Sequence, residues 1–208
     1  MIIINNFLIL INLIMNTNIE QKPEANKTRG HGAGGANTNK NGLPYELLTD
    51  LNSEFTVTYG TNDSLEIIFN NDADGHKLVY TKQKGFSKFM NKFYNSDIPK
   101  AHGCKNPDES FIHLESKTIF IIEKKFQTVS GSVCEKIQTG PFKKWNYSQM
   151  FPDFNIIYVY CLSDWFKTNC KAEIIGLVTH FEIPVFFGSN KNYKTEMVNF
   201  ILKCISCE

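Results

Sequence analysis

Four polar side chains near the middle of the chain have types and spacing that suit metal-assisted hydrolysis. Glu123, Lys125 and Gln127 follow an apolar stretch at every second position. Alternate residues of an extended strand share a face, so a carboxylate, an ammonium and an amide would line up on one side. Asp108 lies just ahead of the strand predicted to pair with this one, which would bring a second carboxylate alongside Glu123.

Two carboxylates held close together repel each other, which favours protonation of one of them or binding of a cation. Hard oxygen ligands suit Mg²⁺. A lysine beside a metal ion and a scissile phosphate can orient the attacking water and offset developing charge. These are the parts needed for hydrolysis of a phosphodiester. The alternative is that Glu123 and Lys125 form an ordinary surface pair at a strand end, which would contribute little.

The elements that would position these residues form an α/β pattern. Pro44 and the apolar residues behind it predict a helix start, and helical spacing recurs near 86–93, 130–150, 164–178 and 194–204. Predicted strands are 55–59, 65–69, 78–81, 110–114, 118–126, 156–162 and 184–187. The order predicts an antiparallel meander followed by α/β crossovers, and therefore a mixed β-sheet flanked by helices.

Length and composition limit the class of protein. The 208 residues allow one domain, and 42% hydrophobic with 21% charged residues exclude a disordered chain, collagen and a coiled coil. The net charge of +1 argues against a strongly basic nucleic-acid-binding protein. That average conceals a local excess, because residues 77–105 contain seven lysines against Asp97 alone. Lysines of this kind can supply sequence-independent affinity for phosphates. The alternative is that they only make helix faces soluble in water.

Two short motifs carry a family resemblance. Pro107-Asp108 and Glu123-Lys124-Lys125 resemble the PD and (D/E)XK motifs of the PD-(D/E)XK nuclease superfamily, and type II restriction endonucleases are the most similar group. The flanking letters NPDE and IIEKKFQ make the match more specific than the bare motif. The Gly/Asn-rich stretch 31–42, Glu46 and the stretch 131–147 are similar to segments around the catalytic residues of such enzymes. The resemblance runs from about residue 29 to residue 160.

The resemblance implies a restriction-endonuclease-like core that cuts double-stranded DNA at a specific sequence with Mg²⁺. Asp108 and Glu123 would hold the metal, and Lys125 would orient the water that attacks phosphorus directly. Glu46 would be an auxiliary acid on the first helix, and Gln127 would contact the metal shell or a backbone phosphate. A separate DNA methyltransferase would protect host DNA, and a palindromic recognition sequence would favour a homodimer.

Contacts to DNA are expected from a loop and from a helix. Residues 29–42 are so rich in Gly and Asn that they are predicted to form a loop. Arginine suits guanine and asparagine suits adenine, although a flexible linker would have a similar composition. The helix after the catalytic strand would line the cleft. The predicted DNA-contacting residues are Arg29, His31, Asn37, Asn39, Lys40, Lys143 and Tyr147.

The N-terminus and the cysteines bear on location. Residues 1–28 are predicted to be an extension outside a single nuclease domain at 29–208. Residues 1–15 are apolar but interrupted by asparagines, and they fall short of the roughly 20 residues that span a membrane. One interpretation is a weak signal peptide or membrane anchor. The other is that translation starts at Met15 and the extension is dispensable. We expect no membrane span, a cytoplasmic location and reduced cysteines, with Cys161 buried and a zinc role for Cys204 and Cys207 disfavoured.

Three other functions fit parts of the sequence. A DNA repair or recombination nuclease of the same fold would recognise structure instead of sequence. A DNA-binding protein without catalysis would not need the complete acid–acid–lysine set. A secreted or membrane-associated domain is suggested only by the apolar N-terminal stretch and the even number of cysteines.

Overall fold

A seven-stranded sheet forms the centre of the protein. The computed structural model describes residues 36–95, 97–98, 106–128 and 133–206. Strand order in the sheet follows chain order; β1 to β5 are antiparallel neighbours, and β5, β6 and β7 are parallel. The strands are β1 (Phe55–Gly60), β2 (Leu65–Phe69), β3 (Leu78–Thr81), β4 (Glu109–His113), β5 (Thr118–Lys125), β6 (Asn155–Leu162) and β7 (Val185–Phe187). The predicted mixed α/β sheet is confirmed.

Helices flank this sheet. In the described residues they are α1 (Ala36–Leu48), α2 (Lys84–Tyr94), α3 (Val133–Gln138), α4 (Gly140–Met150), α5 (Trp165–Asn169), α6 (Lys171–Thr179) and α7 (Tyr193–Ile205), with a short 3₁₀ turn at Asn52–Glu54. Every one of these α-helices is too short or too polar to cross a lipid bilayer.

The central strand β5 is buried on both faces, which explains its unbroken apolar run. Ile119 and Ile121 pack into a core with α2 to α6, and Phe120 and Ile122 pack into a second core with α1 and α7. All four side chains are fully buried. Burying side chains of this size contributes about 1.5–3 kcal/mol each. Two cores of this kind hold β5 rigidly, and the strand ends at the candidate site.

The first helix differs from the prediction. Residues 36–42 belong to α1 and are not loop, and Pro44 lies inside the helix instead of at its start. Low helix propensity costs at most about 1 kcal/mol for a glycine and about 3 for a proline, which tertiary contacts can outweigh. Here Tyr45 and Thr49 are buried against the rest of the protein. Within the predicted helical stretch 130–150, α4 begins at Gly140 with Pro141 in its first turn, where a proline is tolerated.

The cysteines also differ from the prediction. Cys134 on α3 and Cys170, between α5 and α6, form a disulfide with a Cα–Cα distance of 5.6 Å, so the expectation of reduced thiols is wrong for this pair. The two helical segments come together only through the tertiary packing of α3 against α6, which no spacing in the sequence indicates. The buried free thiol predicted at Cys161 is confirmed. Cys207 lies outside the described residues.

Candidate functional site

The β4–β5 hairpin brings the two motif carboxylates together. Glu109 pairs with Ile122 across the hairpin, so Asp108 stands opposite Glu123 one position further along. Asp108 Oδ2 accepts a hydrogen bond of 2.7 Å from the backbone N–H of Lys124. The carboxylate of Asp108 is therefore fixed against the end of β5, as the alternation of the strand predicts.

Glu123 is held between two lysines. Its Oε1 lies 2.6 Å from Lys125 Nζ and 2.9 Å from Lys143 Nζ. Burial raises the pKa of Glu123, but the two ammonium groups outweigh that effect and hold the pKa below its ordinary value. Glu123 and Lys125 share a face of β5, whereas Lys143 reaches the same oxygen from α4. Glu123 is therefore ionised, and its charge is shared by two cations.

The pKa values of the two other acids of the site, Asp108 and Glu46, are raised instead of lowered. Burial and then the neighbouring charge of Glu123 raise the pKa of Asp108. Burial and then the charge of Asp108 raise the pKa of Glu46, which α1 brings within electrostatic range of both motif acids. Three carboxyl groups from three elements thus converge at the end of β5. Such crowding of negative charge favours protonation or a bound cation.

The donor set fits a hard divalent cation through two of its members. Asp108 and Glu123 each offer carboxylate oxygens, which suit Mg²⁺ with its remaining positions filled by water or phosphate. In the described residues, groups of three potential ligand atoms within 4.8 Å of one another occur at two places, and neither includes Asp108, Glu123 or Glu46. These two groups are Cys134, Cys170 and Glu173, where the sulfurs are bonded to each other, and Asp72, Asp74 and His76.

The middle residue of the ExK motif points away from this cluster. Lys124 Nζ lies 2.7 Å from Glu109 Oε2, and both side chains are almost completely buried. The same ammonium donates a hydrogen bond of 3.0 Å to the main-chain oxygen of Glu46. The sequence analysis missed this pair. A signal was available, because Lys124 and Glu109 fall on the strand faces that are otherwise apolar, where a charge needs a partner.

Three further predicted residues have distinct positions. Gln127 lies just beyond the end of β5, where its N–H donates to Ser163 Oγ and its carbonyl accepts from the same hydroxyl, both at 3.0 Å. Lys143 lies in the site, on Glu123. Tyr147 lies in the core instead of on the cleft surface: it is 5% exposed, and its ring packs against those of Phe86 and Phe151.

The remaining predicted DNA contacts lie on or before α1. Arg29 and His31 are outside the described residues, and only the helical backbone is described for Asn37, Asn39 and Lys40. Within the lysine-rich stretch, three lysines pair with local acids, which reduces the excess of positive charge. These pairs are Lys77 with Glu66, Lys82 with Asp50 and Lys88 with Asp63.

Comparison of the chain with protein-family models, with curated proteins and with solved structures gives no match.

Proposed function

We propose that this protein is a Mg²⁺-dependent endonuclease that hydrolyses phosphodiester bonds of double-stranded DNA, with a restriction-endonuclease-like core. One observation carries the proposal. Asp108 stands beside Glu123 at the end of a rigid buried strand, and Lys125 lies on the same face with its ammonium 2.6 Å from that glutamate. The hairpin thus brings the motifs that resemble PD and ExK together, which supports the proposal.

Each side chain has a role in this chemistry. Asp108 and Glu123 would hold Mg²⁺, which would supply Lewis-acid stabilisation of negative charge on the phosphate. Lys125 orients the attacking water and donates a hydrogen bond to the negative charge that develops on the phosphoryl oxygens. Water then forms the new O–P bond and loses a proton to solvent as the P–O3′ bond breaks and the leaving oxygen takes a proton from solvent, which leaves a 5′-phosphate and a 3′-hydroxyl. Lys143 brings a second ammonium, so that one cation can turn towards the phosphate while the other stays on Glu123.

Cleavage of DNA by the purified protein tests the proposal. Unmethylated plasmid and linear duplex are incubated with Mg²⁺ and the wild type, Asp108→Ala or Lys125→Ala. Lys203→Ala serves as a matched control, because Lys203 is exposed on α7 and lies outside the lysine-rich stretch 77–105. We expect discrete fragments from the wild type and the control, and none from the two site variants or with chelator.

The pattern of products separates the alternatives. Uniform degradation, or cleavage only at junctions and flaps, would favour a structure-specific repair nuclease. Binding of DNA without cleavage would favour the non-catalytic protein. Absence of cleavage on every substrate, with folded protein and Mg²⁺ present, would refute the nuclease assignment.

Two partners belong to the same proposal. A separate DNA methyltransferase would protect host DNA, so methylation of the recognition sequence should block cleavage. A palindromic sequence, read from the fragment ends, would call for a homodimer. Sedimentation of the protein on a duplex that carries this sequence measures that stoichiometry.

A further inference from the structure

The ion pair between Lys124 and Glu109 occupies a position where apolar residues would serve stability equally well. The two side chains are 2% and 1% exposed. Their neighbours on the same face of β5, Phe120 and Ile122, are fully buried and apolar. Replacing a buried ion pair by apolar side chains of similar volume is often neutral or stabilising. The pair is therefore best explained by something other than stability.

The pair is bonded to both sides of the end of α1. Lys124 Nζ donates to the main-chain oxygen of Glu46, in the last turn of the helix. Glu109 Oε1 accepts from the backbone N–H of Leu51, just beyond the helix, at 3.4 Å, and from Tyr80 Oη at 2.8 Å. Two charges on the central hairpin thus hold the segment that carries Glu46.

The same lysine is bonded to the metal-binding side of the site. Its backbone N–H donates to Asp108 Oδ2 at 2.7 Å. Lys124 therefore contacts Asp108 through its main chain and the helix of Glu46 through its side chain. Elsewhere on this segment Tyr45 and Thr49 are buried against the rest of the protein, whereas Leu43, Leu47 and Leu48 are each more than half exposed.

We infer that Glu109 and Lys124 are positioning residues, which fix the carboxylate of Glu46 relative to Asp108 and Glu123 and so set the affinity of the site for its divalent cation. This inference rests on the proposed function. Partners that orient metal-binding groups typically change metal affinity or activity by about 10–100-fold when they are replaced. An effect of that size is expected here without loss of the fold.

The test uses the double variant Glu109→Leu/Lys124→Met, because a single substitution would leave an unpaired buried charge. Lys167→Met is the control variant, since it removes an exposed ion pair, to Asp164, that involves no residue of α1. Mn²⁺ affinity is measured by calorimetry, DNA cleavage by kcat and KM, and the movement of residues 43–51 by amide hydrogen exchange without metal.

We expect the double variant to stay folded at a somewhat lower melting temperature, because Tyr80 and Leu51 lose an acceptor. We expect it to bind Mn²⁺ about 10–100-fold more weakly, and to lose kcat by a similar factor at unchanged KM. Amides near the end of α1 should exchange faster in the double variant only. Unchanged exchange at residues 43–51, or wild-type Mn²⁺ affinity in the double variant, would overturn the inference. If the wild-type protein binds Mn²⁺ but cuts no DNA, the nuclease proposal is refuted. The positioning role is then still decided by the Mn²⁺ affinity and the amide exchange of the double variant.

Discussion

Reduction of the Cys134–Cys170 disulfide should destabilise the protein by an amount that its loop length predicts. The two cysteines are separated by 36 residues, a stretch that includes α4 and β6. Cross-linking such a loop limits the conformations of the unfolded chain, and the chain-entropy relation gives about 4 kcal/mol for a loop of this length. Measured values are commonly about 2–4 kcal/mol, so the loss in the free energy of unfolding should still be large.

Urea unfolding followed by tryptophan fluorescence measures this shift, with and without a phosphine reductant. With a slope of about 2 kcal/mol per molar urea, the midpoint should fall by about 1–2 M on reduction. The variant Cys134→Ser/Cys170→Ser should unfold at the midpoint of the reduced protein, and the reductant should not move it further. That variant controls for effects of the reductant on other cysteines.

Identical midpoints for oxidised and reduced wild type would refute this reasoning. The sulfurs would then not be bonded in solution, and the expectation of reduced thiols would stand. A midpoint that falls equally in the double serine variant on reduction would instead place the redox effect at another cysteine.

Three other predictions concern the site and the helix beside it. Lys143→Met should lower kcat by about 10²–10³-fold, the usual loss for one preorganised donor at a developing charge; unchanged cleavage kinetics would limit this lysine to a structural pairing. Asp108→Asn should raise the free energy of unfolding by about 1 kcal/mol without Mg²⁺, because its raised pKa makes the ionised form costly at neutral pH, and thermal melts should show that Mg²⁺ no longer stabilises the variant. Equal stabilisation of both proteins by Mg²⁺ would exclude Asp108 as a ligand. Gly140→Ala should cost about 1–3 kcal/mol, because a Cβ there would lie 2.7 Å from the ring of Tyr160. Gly176→Ala, with open space around it, should gain about 0.5–1 kcal/mol, and urea unfolding that shifts both variants alike would contradict the packing argument.

The strands and the hairpin follow from local pattern. Apolar runs bounded by Gly, Asn and Asp mark each strand, and the turn at 115–117 sets the pairing that brings Asp108 opposite Glu123. The period of two also places Lys125 beside Glu123. This part of the site was predictable because it depends on neighbours within one hairpin.

The rest of the site depends on packing between distant elements. Lys143 reaches Glu123 from α4, 20 residues along the chain, and no spacing distinguishes its direction from that of Lys144. Glu109 and Lys124 form an ion pair because both are buried, where a charge needs a partner. The propensity of the Gly/Asn-rich stretch pointed to a loop, yet the burial of Tyr45 and Thr49 accompanies a helix there. Propensity is a weak guide wherever tertiary contacts decide.

The agreement between strand order and chain order has a consequence for how the protein is made. Strands β1 to β5 each pair with the next strand to leave the ribosome, whereas β6 and β7 join in parallel only after their helical crossovers have been made. Asp108 and Glu123 come together as soon as the hairpin forms. Lys143 joins them only after α4 has been synthesised and packed on β6. A nascent chain would therefore acquire its acids before its second cation, and the proposed hydrolysis would have to wait until most of the sheet is complete.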